Sequence, residues 1–240
     1  MTIMPLILAI DTTTDAWSVA LITPDGIKES VSVSPREHTQ RLLPMIQQVL
    51  EQNEVDLQQL SAVAYGCGPG SFTGLRISLS VAQGLAYGGD LPLVAVSSLQ
   101  TMAASAVRLK ALKDCLIVPV IDARMDEIYW SAHYVNTAGE LETLLAEHVS
   151  TPEECYNAIN QLSYTTLCGV GSGWHYPIFE KINNSKPDVT IDKQFYPLAY
   201  DVAELGSALF EAGSVVSPME AQPTYLRNEI SWKKRERIRK

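Results

Sequence analysis

Asp11 ends an apolar run and is followed by Thr12 and Thr13. A carboxylate with two adjacent hydroxyls can hold a Mg²⁺-bound water and donate to phosphate oxygens. Far along the chain, Gly169, Gly171 and Gly173 fit a turn flanking an adenosine. Between them lies the densest local signal, Tyr-Gly-Cys-Gly-Pro-Gly-Ser-Phe-Thr-Gly-Leu-Arg-Ile at residues 65–77, with four glycines and a proline within residues 66–74. Glycine permits positive φ and close backbone approach, and Pro69 constrains the turn. Phosphate chemistry is not built into this loop. No Lys follows the glycines as a P-loop requires, and Ser71 and Thr73 stand where G-x-G-x-x-G needs its last glycine.

Other chemistries find no support. His38, His133, His148 and His175 are isolated, with no H-x-x-x-H to present two metal ligands on one helix face. No G-x-S-x-G elbow or Ser-His-Asp arrangement is present, so hydrolysis by an activated nucleophile is not indicated. Cys67, Cys115, Cys155 and Cys168 form no C-x-x-C and read as reduced thiols. The apolar start lacks a basic n-region and runs into Asp11, so a first strand is expected, not a signal peptide. No apolar run reaches the roughly 18 residues of a membrane span, and a cytoplasmic location with no membrane contact is expected.

These residues must be positioned by alternating strands and helices. Periodicity predicts strands at 6–10, 16–22 and 26–32, then a helix at 38–52 carrying Leu42, Leu43, Ile46, Val49 and Leu50 on its apolar side. A strand at 61–65 enters the glycine loop and a helix at 75–86 leaves it, with Ser71 placed to cap. A strand at 93–96 and a helix from Ser97 or Ser98 to 107 follow. Residues 140–160 read as helix or loop, 165–167 as a strand, 183–189 as a loop and 200–212 as an amphipathic helix.

Within the helix after the loop, Gly74, Ser78, Ala82 and Ala86 recur at i,i+4 and form a smooth stripe flanked by Phe72, Leu75 and Leu79. Such a stripe suits close packing inside its own domain or the approach of another subunit.

Charge is uneven. The chain carries net −9; seven basic against two acidic residues from Thr224 onward make the tail +5, so the body is −14. An acidic body is a poor nucleic-acid binder by itself, because phosphate contacts need Lys and Arg. The tail fits either a solvated end or a contact with RNA or an acidic partner.

The strand-Asp-turn-strand unit occurs twice. Leu-Ala-Ile-Asp-Thr-Thr-Thr-Asp at 8–15 is echoed by Pro-Val-Ile-Asp-Ala-Arg-Met-Asp at 119–126, with both Asp pairs offset by 111 residues. Repetition of one supersecondary unit points to two related lobes. Actin, sugar kinases and chaperone ATPases use this arrangement, an α/β fold of mixed sheets flanked by helices (ASKHA, ribonuclease H-like), each lobe offering a hairpin to the phosphates of ATP. The expected division is an N-terminal lobe at 1–108, a second, less regular lobe at 109–223 and a basic tail at 224–240. Arg124, opposite Thr13 in the repeat, fits either a phosphate contact or a salt bridge to Asp11.

Ile-Leu-Ala-Ile-Asp-Thr at 7–12 with Ser18-Val19-Ala20, the loop at 68–76, and Pro223-Thr224-Tyr225-Leu226-Arg227 resemble the TsaB (YeaZ) family. The resemblance spans nearly the whole chain, and the glycine loop is its specific part. It implies the actin-like fold and a non-catalytic subunit in threonylcarbamoyladenosine synthesis, the transfer of a threonylcarbamoyl group from an adenylate to N6 of the adenosine beside the anticodon. It implies partnership with the metal-bearing transferase TsaD and the ATPase TsaE, tRNA contact through the complex, and self-pairing of the free chain. No cofactor of its own is implied, beyond ATP or ADP in the assembled complex. With it, Leu42, Leu43, Ile46, Phe72, Gly74, Leu75, Ser78, Leu79, Ala82 and Ala86 become the expected partner interface. Asp11, Thr12, Thr13 and Gly171 become a degenerate nucleotide cleft. The other reading is a self-sufficient ATP-dependent kinase or hydrolase of the actin-like group.

Overall fold

The computed structural model describes residues 4–34, 38–183 and 188–227. The chain opens on an antiparallel meander, β1 (Ile7–Asp11), β2 (Ala16–Thr23) and β3 (Gly26–Val33). Then come α1 (His38–Gln52), β4 (Ala62–Gly68), α2 (Phe72–Gly89) and β5 (Leu93–Ser97), giving a sheet ordered β3-β2-β1-β4-β5. β4 lies parallel to β1, and β5 parallel to β4.

After α3 (Ser98–Lys110) the pattern repeats with β6 (Cys115–Arg124), β7 (Glu127–Val135), β8 (Leu141–Ser150), α4 (Pro152–Gln161), β9 (Thr166–Val170), α5 (Glu180–Asn183) and β10 (Asp188–Asp192). The second sheet runs β10-β9-β6-β7-β8. From its other edge this is third, second, first, fourth and fifth strand, the order of the first sheet. The pairing senses also match, antiparallel through the meander and parallel beyond it. The fold is therefore the duplicated, two-lobed, actin-like α/β architecture.

Burial on both faces explains why β1 and β2 are apolar at nearly every position, Ser18 being the polar residue inside β2. Leu8 and Ile10 point to a core shared with Leu42, Ile46 and Ala82 of α1 and α2. Their neighbours Ile7 and Ala9 point to the opposite core, where Ala199, Val202 and Ala203 of α6 (Ala199–Glu211) pack.

Two helices cross between the lobes. α3 follows the first sheet in sequence, yet its Leu99, Met102 and Ala106 pack with Ile117, Cys168 and Val170 of the second. α6 follows the second sheet, yet covers the first. The expected lobes 1–108 and 109–223 thus exchange a helix each. Arg108 of α3 forks onto Asp201 of α6 at 3.0 and 2.7 Å, and Ser105 donates to the same carboxylate at 2.6 Å. Asp201 is only 1% exposed.

Two local expectations are corrected. Residues 141–150 form β8, not helix or loop, because pairing with β7 overrides a charged, weakly patterned edge sequence. Residues 188–192 form edge strand β10 against β9, overlapping the last two residues of the stretch 183–189 read as loop, of which 184–187 lie outside the described residues. Ser71 caps α2 as expected, accepting from the Gly74 N–H at 3.4 Å, and Ser97 caps α3. The basic residues of the tail beyond Arg227 lie outside the described residues.

Candidate functional site

The Asp11 turn is built, but closed. Asp11, Thr12 and Thr13 are all 0% exposed. Asp11 Oδ1 accepts from the Thr13 N–H and hydroxyl, each at 2.9 Å, while Oδ2 has no partner. The glycine loop lies over the turn. The Ser71 N–H donates to the Thr13 carbonyl at 2.8 Å, and the Thr12 hydroxyl donates to the Gly74 carbonyl at 2.7 Å. The Ser98 hydroxyl adds a bond to Thr13 Oγ1 at 3.0 Å. A β-carbon at Gly70 would lie 2.4 Å from the Thr13 carbonyl oxygen, so the glycines are what permit this contact.

Burial raises the Asp11 carboxyl to about 7, against the pull of its two Thr13 hydrogen bonds. Such a group is a poor ligand for a hydrated Mg²⁺, which needs an ionised, accessible carboxylate. Arg124 makes no salt bridge to it: its N–H is bonded to Asp122 Oδ1 at 3.0 Å and its side chain is exposed. Gly171, the remaining residue expected in the cleft, has φ +107° and packs against Val120 and Met102. Its N–H donates to the Asp192 carbonyl at 2.8 Å. It is a packing turn between strands and α3.

Three of the histidines are used locally, and the side chain of His38 lies outside the described residues. His133 sits between the Ser131 and Thr143 hydroxyls, and burial holds its imidazole down at about 4. His148 packs on Trp130, and His175 bonds the Ser172 carbonyl. Among the described residues no group of three or more His, Cys, Asp or Glu is arranged to hold a metal ion.

The α1/α2 pair offers a different kind of site, and here the expected face is corrected. Gly74, Leu75, Ser78, Ala82 and Ala86 are buried in their own lobe, as are Leu42 and Ile46. Small residues let α2 lie close to its own sheet: a β-carbon on Gly74 would stand 2.0 Å from the Thr12 carbonyl oxygen, and the Ser78 hydroxyl reaches the Ile10 carbonyl at 3.5 Å. Leu79 is half-buried. Only Leu43 and Phe72 of the expected set are exposed, at 53% and 58%.

The outward face is instead marked by Arg76, Ser80, Gly84 and Gly88, a second i,i+4 series, with Tyr87 exposed beside it. Gly84 sits mid-helix with nothing within 4 Å of where a β-carbon would be. A groove of about 580 Å³ lies next to this face, with Leu43, Leu50, Leu57 and Leu85 in its wall and Glu51, Glu54 and Asp56 at its margin. The signal for this face was available in the sequence as small residues at 80, 84 and 88, and the more regular series at 74–86 masked it.

The fold and the closed turn define a class: a duplicated actin-like chain whose Asp11 hairpin is sealed by its own glycine loop. A protein-family model described as TsaD, tRNA N6-adenosine threonylcarbamoyltransferase, matches residues 30–203. The tRNA threonylcarbamoyladenosine biosynthesis protein TsaB of Escherichia coli (strain K12) is 40% identical over 229 residues, covering 95% of this chain and 97% of that protein. TsaB of Haemophilus influenzae is 38% identical over 95% of this chain and 96% of its own. The solved structure of YeaZ from Pseudomonas aeruginosa superposes with TM-score 0.80 at 34% identity, covering 93% of this chain and 100% of that one. The chain belongs to this threonylcarbamoyltransferase-related family and, within it, to TsaB (YeaZ).

Proposed function

We propose that this chain is the non-catalytic partner subunit of a tRNA threonylcarbamoyladenosine-synthesising complex, and that it seats a TsaD-type transferase on the outward face of α1 and α2. The carrying observation is the pairing of a sealed Asp11 turn with an uncovered apolar helix face. A self-sufficient kinase or hydrolase needs its phosphate hairpin open, and here glycine-loop backbone occupies that space. The helix face exposes Leu43, Phe72 and Tyr87, and a mid-helix glycine that nothing among the described residues requires. Glycine there weakens the helix by about 1 kcal/mol relative to Ala. Close approach of another backbone would offset that cost.

In this reading TsaE and tRNA join through the transferase, ATP or ADP belongs to the assembled complex, and the free chain pairs with itself through the same face. The described helices include none long and apolar enough to cross a membrane. The test mixes the full chain with the TsaD-type protein of its own source and follows gel filtration, then product formation from threonylcarbamoyl-adenylate and tRNA. A heterodimer is expected, with turnover that requires TsaD and TsaE and is absent from the chain alone. Modified tRNA made by this chain alone, or failure to associate, overturns the proposal.

A further inference from the structure

The segment 216–227 is a strap, turned at 217–221 and irregular beyond, that touches both lobes in sequence order. Val216 pairs with Leu93 of edge strand β5. Gln83 of α2 donates to the carbonyls of Pro218 and Ala221 at 2.8 and 3.4 Å. The Tyr65 hydroxyl donates to the Gln222 carbonyl at 3.1 Å, and the Thr224 N–H donates to the Cys67 carbonyl at 2.7 Å. The Tyr225 ring then meets Phe72 with centroids 6.2 Å apart, within the range of aromatic pairing. Phe72 also carries the Arg76 guanidinium 3.4 Å from its centroid.

Two residues further on, Arg227 reaches the other lobe. Its Nη2 donates to the carbonyls of Ala123 at 3.2 Å and Arg124 at 3.4 Å, and it pairs with the Glu127 carboxylate. The hairpin it holds is unusual. Arg124, Met125 and Asp126 have φ of 61°, 57° and 59°, three successive non-glycine residues in the left-handed region. Each is sterically unfavourable there and persists only when its surroundings hold it. Met125 and Asp126 make the two-residue turn between the paired Arg124 and Glu127, and it is braced by the Asp122 side chain on one side and the Arg227 fork on the other.

We propose that residues 216–227 act as a clasp, through which displacement of Tyr225 from Phe72 on one lobe releases the 123–127 hairpin on the other. Only Leu226 separates the two contacts. The Arg227 bonds to the Ala123 and Arg124 carbonyls are already near the long end of hydrogen-bond geometry, so a shift of roughly 1 Å breaks them and leaves the hairpin only the Glu127 ion pair. The physiological trigger, a protein covering Phe72, rests on the docking reading above. The clasp itself is a property of the lone chain.

Hydrogen exchange of the full-length chain alone tests it. Arg227→Met is expected to speed exchange at the amides of 124–128 at least tenfold. Phe72→Leu and Tyr225→Leu, which keep apolar bulk but remove the ring pair, are expected to speed the same amides several-fold. The amides of 116–118 in the same strand should keep their wild-type rates in all three. Unchanged exchange at 124–128 in Phe72→Leu and Tyr225→Leu overturns the coupling, and unchanged exchange in Arg227→Met overturns the clamp. Faster exchange at 116–118 as well as 124–128 would mean general loosening and also overturns the proposal. Failure of the docking reading would show separately, as no complex with the TsaD-type protein.

Discussion

A β-carbon on Gly66 would stand 2.1 Å from Asp11 Oδ2. The strand that carries the glycine loop therefore passes directly over the carboxylate, and only glycine allows it. That carboxyl oxygen is left without a hydrogen-bond partner in the interior. A buried, half-satisfied acid is costly as an anion and tolerable when neutral. The side chain that in an open phosphate hairpin would work as a charge is here a sealed acid.

Stability should record this. The Asp11 carboxyl titrates near 3.8 when exposed and about 7 in the fold. Its contribution is fully present below about pH 4, falls as pH rises towards 7, and stays lost above it; the span is on the order of a few kcal/mol. Asp11→Asn keeps the acceptor for the Thr13 N–H and cannot ionise. Urea midpoints at pH 5 and pH 8 should fall with rising pH in the wild type relative to the variant. His133, held at about 4 by burial, acts with the opposite sign but in both proteins, and cancels in the comparison. Parallel pH profiles would contradict the sealed-acid account.

The loop glycines should not tolerate a methyl group. Gly66→Ala meets Asp11 Oδ2, and Gly74→Ala meets the Thr12 carbonyl at 2.0 Å. The second contact sets a methyl against a backbone carbonyl, so α2 itself must move. Each variant should lose on the order of 3 kcal/mol, with Gly74→Ala the worse. Thermal melts decide it, and a midpoint within a degree or two of wild type for Gly74→Ala would sink the close-approach argument.

The repeat was legible because it is local chemistry. Asp11 and Asp122 each use Oδ1 to accept the N–H two residues on, at 2.9 and 3.0 Å, so one turn recurs as the sequence echo suggests. The loop's need for close contact was likewise visible in its glycines, but its neighbour was not, since Asp11 is over fifty residues away in sequence. α2 shows the limit most sharply. Periodicity says that Gly74, Ser78, Ala82 and Ala86 share a face; it cannot say whether sheet or partner lies opposite. β8 escaped notice because an edge strand keeps charged side chains such as Glu142 and Glu147 in or near water, which dilutes its alternation.

The helices exchanged between lobes should depend on the Arg108–Asp201 fork. Arg108→Met leaves Asp201, 1% exposed, with Ser105 as its remaining side-chain donor. Removing one partner of a buried pair costs about 3 kcal/mol, moderated here because Arg108 is partly exposed. Arg108→Met with Asp201→Leu should recover most of the loss, because no charge is then left buried. Chemical denaturation of both variants tests this, and a double variant as weak as the single one would refute it.

The two faces of α2 should separate folding from assembly. Ala82 is fully buried against the sheet, so Ala82→Trp overpacks the core and should unfold the lobe outright. Gly84, one turn-face away, has open space around it. Gly84→Gln replaces a poor helix former with a good one and should stabilise the lone chain by about 0.8 kcal/mol. The same side chain would stand where a partner's backbone must approach, so association should fall at least tenfold. Leu43→Glu, exposed on α1, should also weaken association without unfolding. The combination matters more than either result alone: a substitution that raises the melting temperature while removing both self-association and TsaD-type binding has no explanation in the core. If Gly84→Gln binds as wild type does, the outward face of α2 is not the seam.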